Sequence, residues 1–177
     1  MGHDDGSGLT NLIDRIAIED LIYRYSDAVT RADWDQCEGT FATDAVWESP
    51  ALGIRYEGAR AFRDFLAQTT TSDILIQTPH APVIRLLDHE SAQCTTTIYE
   101  FVRAISLADT PLAKTGDEQN LEQWGLYYDD IGKVDGHWVF THRLYVPMYA
   151  GPGVVTGEVL TPRGDLHRPQ RQIERPA

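Results

Sequence analysis

Between Leu12 and Val29 the apolar residues Leu12, Ile13, Ile16, Leu21, Ile22, Tyr25 and Val29 recur at three- and four-residue steps, the period of one helix face. Beyond the polar run Thr69-Thr70-Thr71-Ser72 the pattern changes. Pro82 to Leu87, Ala92 to Ile105, Leu121 to Ile131 and His137 to Met148 are rich in β-branched and aromatic residues, which suit strands. A chain that places a long helix first and its main strands afterwards has to lay that helix on one face of a sheet to bury both.

Shorter signals fill in the order. Asp33 precedes Trp34, with Gln36 three positions on, a capping-box pattern that starts a short helix ending near Phe41. A third helix fits Gly58 to Gln68, with Ala59, Phe62, Phe65 and Leu66 on one side. Ala45-Val46-Trp47-Glu48 reads as a short strand stopped by Pro50. Asp88-His89-Glu90-Ser91 and Asp135-Gly136 are short polar turns, which favour antiparallel neighbours. Ala108 to Asn120 contains Pro111 and Gly116 with little periodicity, and reads as a long hairpin loop over a cavity mouth. The expected division is a disordered or tag-like stretch at 1–8, one domain at 9–149, and an extension at 150–177 that is either an ordered wrap or a free tail. The fold class is α+β: a cone in which a curved antiparallel or mixed sheet packs on N-terminal helices and leaves a ligand-sized gap.

Charge and cysteine usage narrow the partners. A chain of 177 residues fits one domain, and its formal charge of −12 repels nucleic-acid phosphates and anionic lipid. No apolar run is long enough to span a bilayer, and the first residues lack the basic-then-apolar order of a signal peptide, so the expected location is cytoplasmic. Cys37 and Cys94 are isolated and read as buried small hydrophobes, not as a disulfide or zinc pair.

Several segments together carry a family likeness. Ala17-Ile18-Glu19-Asp20-Leu21-Ile22 followed by Tyr25, Asp33-Trp34-Asp35 and Phe41-Ala42-Thr43-Asp44-Ala45-Val46-Trp47 resembles the SnoaL-like branch of the nuclear transport factor 2-like superfamily. Gly58, His80, Gly125-Leu126-Tyr127-Tyr128-Asp129 and Gly136-His137-Trp138-Val139-Phe140 leading to Arg143 continue the resemblance, which spans residues 9 to 148. It implies a cone fold that works without cofactors, in dehydratases, dehydrochlorinases, cyclases, isomerases and carbon–carbon lyases as well as in members that only bind. A homo-oligomer, dimer or trimer, is also implied by the resemblance.

Three residues stand out for chemistry. His80, held between Pro79 and Pro82, matches the family's proton-abstracting histidine, and a side chain titrating near neutrality suits a general base. Arg143 lies in an apolar strand, so its guanidinium either faces a cavity and stabilises an oxyanion or pairs with a carboxylate such as Asp129. Tyr25 belongs to the helix stripe and either packs in the core or orients a substrate oxygen. Trp47, Tyr99, Phe101, Trp124 and Tyr127 are collectively expected to line a pocket for an aromatic or polycyclic ligand, with Thr30 beside them.

One departure qualifies the likeness. Catalytic members carry an aspartate five residues after the position of Tyr25, and this chain has Thr30 there, which cannot orient and charge-balance an imidazole. Asp27 reads as part of a surface ion-pair ladder with Arg24 and Arg31. No two-His-one-carboxylate metal set is assembled from the histidines. The expected function is a cofactor-independent lyase, by dehydration, related elimination or retro-aldol cleavage, on a small cyclic or aromatic oxygenated molecule. The alternatives are a non-catalytic binding or scaffold protein, or a cyclase or isomerase, on the same fold.

Overall fold

The computed structural model describes residues 5–69, 72–104 and 119–152. Helices α1 (Asp5–Arg31), α2 (Trp34–Glu38) and α3 (Ala59–Thr69) dominate the first part, with strands β1 (Phe41–Ser49) and β2 (Ile54–Glu57) between the second and third. There follow β3 (Ile74–Pro79), β4 (Val83–Leu86), β5 (Ser91–Ala104), β6 (Gln119–Val134) and β7 (His137–Pro152). The loop expected at 108–120 lies almost wholly outside the described residues, as does nearly all of the C-terminal extension. At the two ends, α1 begins inside the stretch expected to be disordered, and β7 runs past the boundary expected at 149.

The strands form one seven-stranded sheet in the order β2-β1-β7-β6-β5-β3, with β4 also paired to β5. Every pairing is antiparallel except β1 with β7, so the sheet is mixed. Slips in register between Trp124 and Gly125 and between Asp130 and Ile131 put bulges in the β6–β7 pair, and bulges bend strands. Residues of all three helices and of the sheet share one core around Ile18, Leu21, Tyr25, Cys37, Phe62, Ile98 and Phe140, which makes the fold the expected α+β cone.

Sequence periodicity gives no sign of two of these strands. β2 is a four-residue edge piece, and β3 has only Ile74, Leu75 and Ile76 as its apolar run. β3 and β4 are two halves of one edge along β5: residues 74–79 pair with 103–98, and 83–86 with 95–92. β3 ends at Pro79 and the gap holds Pro82, both of which lack an N–H, while His80 N still donates to Thr97 O at 2.9 Å.

α1 differs from expectation at its start. Leu12, Ile13 and Ile16 are each more than half exposed, and the buried register runs instead through Asp14, Ile18, Leu21, Ile22, Tyr25 and Val29. A polar lock holds this end. Asp14 accepts from Trp138 Nε1 at 3.0 Å and pairs with Lys133 Nζ at 2.7 Å. Desolvation works against its charge, yet these two partners outweigh it and hold the carboxyl below its usual range. At the other end Thr30 Oγ1 accepts the Gln77 N–H at 3.1 Å, and Ser26 Oγ donates to Gln77 Oε1 at 3.2 Å, which ties α1 to β3. Asp33 caps α2 by accepting from Gln36 N at 3.0 Å, while the Gln36 side chain turns away to Arg24 O and Asp27. Half of the capping box therefore forms.

Deep in the core sits an ion pair. Arg143 and Asp129 are register partners on β7 and β6, 1% and 0% exposed at their side chains, joined at 2.8 Å (Nε to Oδ1) and 3.1 Å (Nη2 to Oδ2). The guanidinium carbon lies 4.1 Å from the Tyr25 ring centroid, 3.9 Å from that of Tyr127 and 4.0 Å from that of Phe140. Burial pushes the Asp129 carboxyl up to about 6 against the pull of the guanidinium, so both groups are charged at neutral pH. Replacing Arg143 by Met leaves a buried carboxylate alone, at a cost of about 3–5 kcal/mol. Urea unfolding of Arg143→Met and of Arg143→Met/Asp129→Leu is expected to show that loss in the single variant and most of it regained in the double. A single variant within about 1 kcal/mol of the parent contradicts the assignment.

Candidate functional site

Curvature of the sheet leaves a cavity of about 140 Å³ between its concave face, α1 and α3. Tyr25 and Val29 of α1, Trp47 of β1, Phe62, Phe65 and Leu66 of α3, and Leu52 and Leu75 make its largely apolar lining. One wall is different. Gln77 of β3, Glu100 of β5 and Gln123 of β6 stand directly opposite one another across adjacent strands, with Gln77 paired to Glu100 and Glu100 to Gln123. They are 6%, 9% and 7% exposed, and the Gln123 side-chain amide donates a hydrogen bond to the Glu100 carboxyl group. Glu100 is the one charged residue of the lining among the described residues.

Tyrosines supply the remaining polar groups. The Tyr25 and Tyr127 hydroxyls lie 3.5 Å apart over the Arg143 guanidinium. Burial raises the pKa of both well above the ordinary phenol value, against the opposing effect of Arg143, so both remain neutral donors. Tyr145 is raised likewise by burial. Its ring lies across β6 over Gly125, where a Cβ would come within 2.2 Å of Tyr145 Cε2. Glycine at that position is therefore what lets Tyr145 reach the cavity. Three buried polar atoms on lining residues, Trp47 Nε1, Gln123 Oε1 and Tyr145 OH, have no hydrogen-bond partner among the described residues.

Of the residues singled out from sequence, Tyr25, Trp47 and Tyr127 line this cavity. Arg143 is not in the lining; it lies behind the two tyrosine rings, bound to Asp129, the second of its two sequence readings. Thr30 is occupied as an acceptor for β3 and also lies outside the lining. Tyr99, Phe101 and Trp124 do not face the cavity. Along β5 the buried positions are Ala92, Cys94, Thr96, Ile98, Glu100 and Val102, and along β6 they include Leu121, Gln123, Tyr127 and Asp129. The alternation of a strand sends Tyr99, Phe101 and Trp124 to the opposite, convex face. His80 shares the parity of Ile76 and Thr78, is exposed, and packs on Trp124 with ring centroids 5.4 Å apart. The structure thus brings Tyr25 and Arg143 together and leaves His80 on the other side of the sheet. Asp27 is engaged at the surface with Arg31 at 2.7 Å, while Arg24 pairs with Asp20.

Gln77, Glu100, Gln123 and Tyr145 are site residues that sequence reading passed over. A signal existed for one of them: Glu100 stands in the buried phase of β5, between Ile98 and Val102, where a solvated carboxylate has no place. Among the described residues no group of three or more His, Cys, Asp or Glu is placed to hold a metal ion, and no helix is long and apolar enough to cross a membrane.

Comparison with known proteins agrees with this architecture. A hexachlorocyclohexane dehydrochlorinase of solved structure superposes with a TM-score of 0.70 at 18% identity, covering 89% of this chain and 99% of the other. A protein from Novosphingobium aromaticivorans described as a scytalone dehydratase gives 0.68 at 18% identity, over 91% and 98% of the two chains. A protein of unknown function from Mycobacterium tuberculosis gives 0.64 at 19% identity, over 84% and 77%. No curated relative matches the chain. The likenesses are of fold, and at such identity they carry no residue's role across. The model of the SnoaL-like domain matches residues 10–144, most of the sequence, and the chain belongs to the SnoaL-like family.

Proposed function

We propose that the chain is a lyase that eliminates water or a related group from a small oxygenated ring inside the concave cavity, by proton transfer alone and without a cofactor. One observation carries this reading: Glu100 is the one acidic or basic side chain among the described residues of the lining, and it shares the cavity with tyrosines that burial keeps neutral. Elimination next to a carbonyl needs a base at the α-carbon and a donor at the oxygen that collects the electrons. Glu100 is the base. Its carboxylate takes the α-proton, and the electron pair moves to the carbonyl oxygen, where a tyrosine O–H stabilises it. Collapse of that enolate forms the carbon–carbon double bond and expels the β-hydroxyl, which regains the proton from the Glu100 carboxyl and leaves as water.

The remaining residues have supporting parts. Gln123 holds the Glu100 carboxyl group in place through its amide. Arg143 is a positioning residue: lying under the rings of Tyr25 and Tyr127, it polarises their hydroxyls without touching the substrate. His80 faces outward against Trp124, and the proton transfer is assigned to Glu100 in its place. The family's helical carboxylate, absent at Thr30, is replaced in this reading by one on the sheet.

Exchange of the α-protons of cyclohexanone into D2O, followed by proton NMR, tests the proton transfer apart from any leaving group. The parent protein is expected to accelerate exchange, Glu100→Gln to lose about 10²- to 10⁴-fold of that acceleration, and His80→Ala to keep it. Loss in His80→Ala with retention in Glu100→Gln would return the base to the imidazole. No acceleration by the parent would leave a receptor and not an enzyme.

A further inference from the structure

We propose that the arginine-bearing segment at residues 163–175 docks across the convex face of the sheet, on the rings of Tyr99, Trp124 and Tyr149. The proposal concerns the side opposite the cavity and does not depend on the reaction assigned there.

The face itself is aromatic. Thr78, Tyr99, Trp124 and Tyr149 are successive register partners on β3, β5, β6 and β7, so their side chains form one row across the sheet. Ile76 and Phe101 pair in the next row. The Tyr99 and Trp124 rings lie 4.9 Å apart and tilted by 46°, and the His80 ring packs on Trp124 at 5.4 Å. Tyr149 is 55% exposed and Ile76 48%, while Tyr99, Phe101 and Trp124 are only half-buried. So many large apolar groups gathered on one exposed face mark a contact surface.

Charge indicates what makes the contact. Glu122 is the register partner of Phe101, and after burial its carboxylate is what raises the neighbouring Tyr99 phenol above its ordinary pKa. The cation two residues along β5 from Phe101, Arg103, is held by Asp73 at 2.6 Å. Ring faces beside a carboxylate attract a guanidinium, which stacks on aromatics where an ammonium does so less well.

The chain carries such groups where they can reach this face. Residues 153–177 contain four arginines, Arg163, Arg168, Arg171 and Arg175, and no lysine. Against three carboxylates, Glu158, Asp165 and Glu174, they give the segment a net charge of +1, and since the whole chain carries −12 the remainder carries −13. The two parts therefore attract each other. β7 ends at Pro152, three residues past Tyr149. From Tyr149 to Thr78 the row crosses three gaps between strands, about 14 Å. The ten residues from Gly153 to Pro162 span up to about 33 Å when extended, so Arg163 and the arginines beyond it can reach every ring of the row.

A nitroxide attached through Gln170→Cys in the full chain tests the proposal, because the native Cys37 and Cys94 are buried and take no label. In nitrogen-15 spectra recorded with the label oxidised and then reduced, the Trp124 indole N–H is expected to lose intensity while those of Trp47 and Trp138 keep theirs. Replacing Arg163, Arg168, Arg171 and Arg175 together by Gln in the labelled chain should restore the Trp124 signal, and 1 M salt should restore part of it. Full Trp124 intensity in the labelled parent, equal loss at all three indoles, or a loss that survives the four Arg→Gln changes would overturn the proposal. Loss at Trp124 of an unlabelled, isotope-enriched chain mixed with labelled chains would also overturn it, by assigning the face to a second copy.

Discussion

A guanidinium that is 1% exposed has to be neutralised where it stands, and Asp129, directly across from Arg143 on the next strand, does so with two hydrogen bonds. That requirement fixes more than two side chains. A one-residue slip of β6 against β7 would turn one partner to the opposite face and strand the other charge in the core. The same guanidinium is sandwiched among Tyr25, Tyr127 and Phe140, so the register of the sheet and the seating of α1 are set at one point. Tyr25 and Tyr127 then present their hydroxyls to the cavity from a fixed base.

On this base the polarity of the cavity is decided by strand alternation. Gln77, Glu100 and Gln123 line up across β3, β5 and β6 because all three fall in the concave phase of their strands. Their neighbours Thr78, Tyr99 and Trp124, each one residue away along its strand, belong to the convex face, and His80 follows them there. Thr30, where the family resemblance implies a carboxylate, instead accepts the Gln77 N–H through its hydroxyl and so helps hold the polar wall in place. Membership of the SnoaL-like family fixes the cone and leaves the chemistry to whichever groups this chain puts inside it.

Much of the fold is legible in the residues. The α1 periodicity, the Asp33 cap and the Asp135-Gly136 turn are local signals, and each produces the element it encodes. β2 and β3 are not legible because short strands owe their existence to a partner strand and not to their own sequence. Leu12, Ile13 and Ile16 mislead for a related reason: apolar spacing marks a stripe, but the Asp14, Trp138 and Lys133 contacts decide which face of the helix turns inward. In the site, Tyr25, Trp47 and Tyr127 follow from their patterns, whereas the positions of Tyr99, Phe101, Trp124 and His80 depend on which phase of each strand faces the helices. That phase could be read on β5 from Ala92, Cys94, Ile98 and Val102, and it puts Glu100 inside.

Proton transfer by Glu100 is the claim on which the functional account depends, and its carboxyl carbon can be observed directly. In protein carrying carbon-13 at the glutamate carboxyl, with the Glu100 signal assigned through Glu100→Gln, addition of 3-hydroxycyclohexanone should move that signal while the His80 ring resonances stay in place. A shift of the His80 resonances with a silent Glu100 carboxyl would contradict the account.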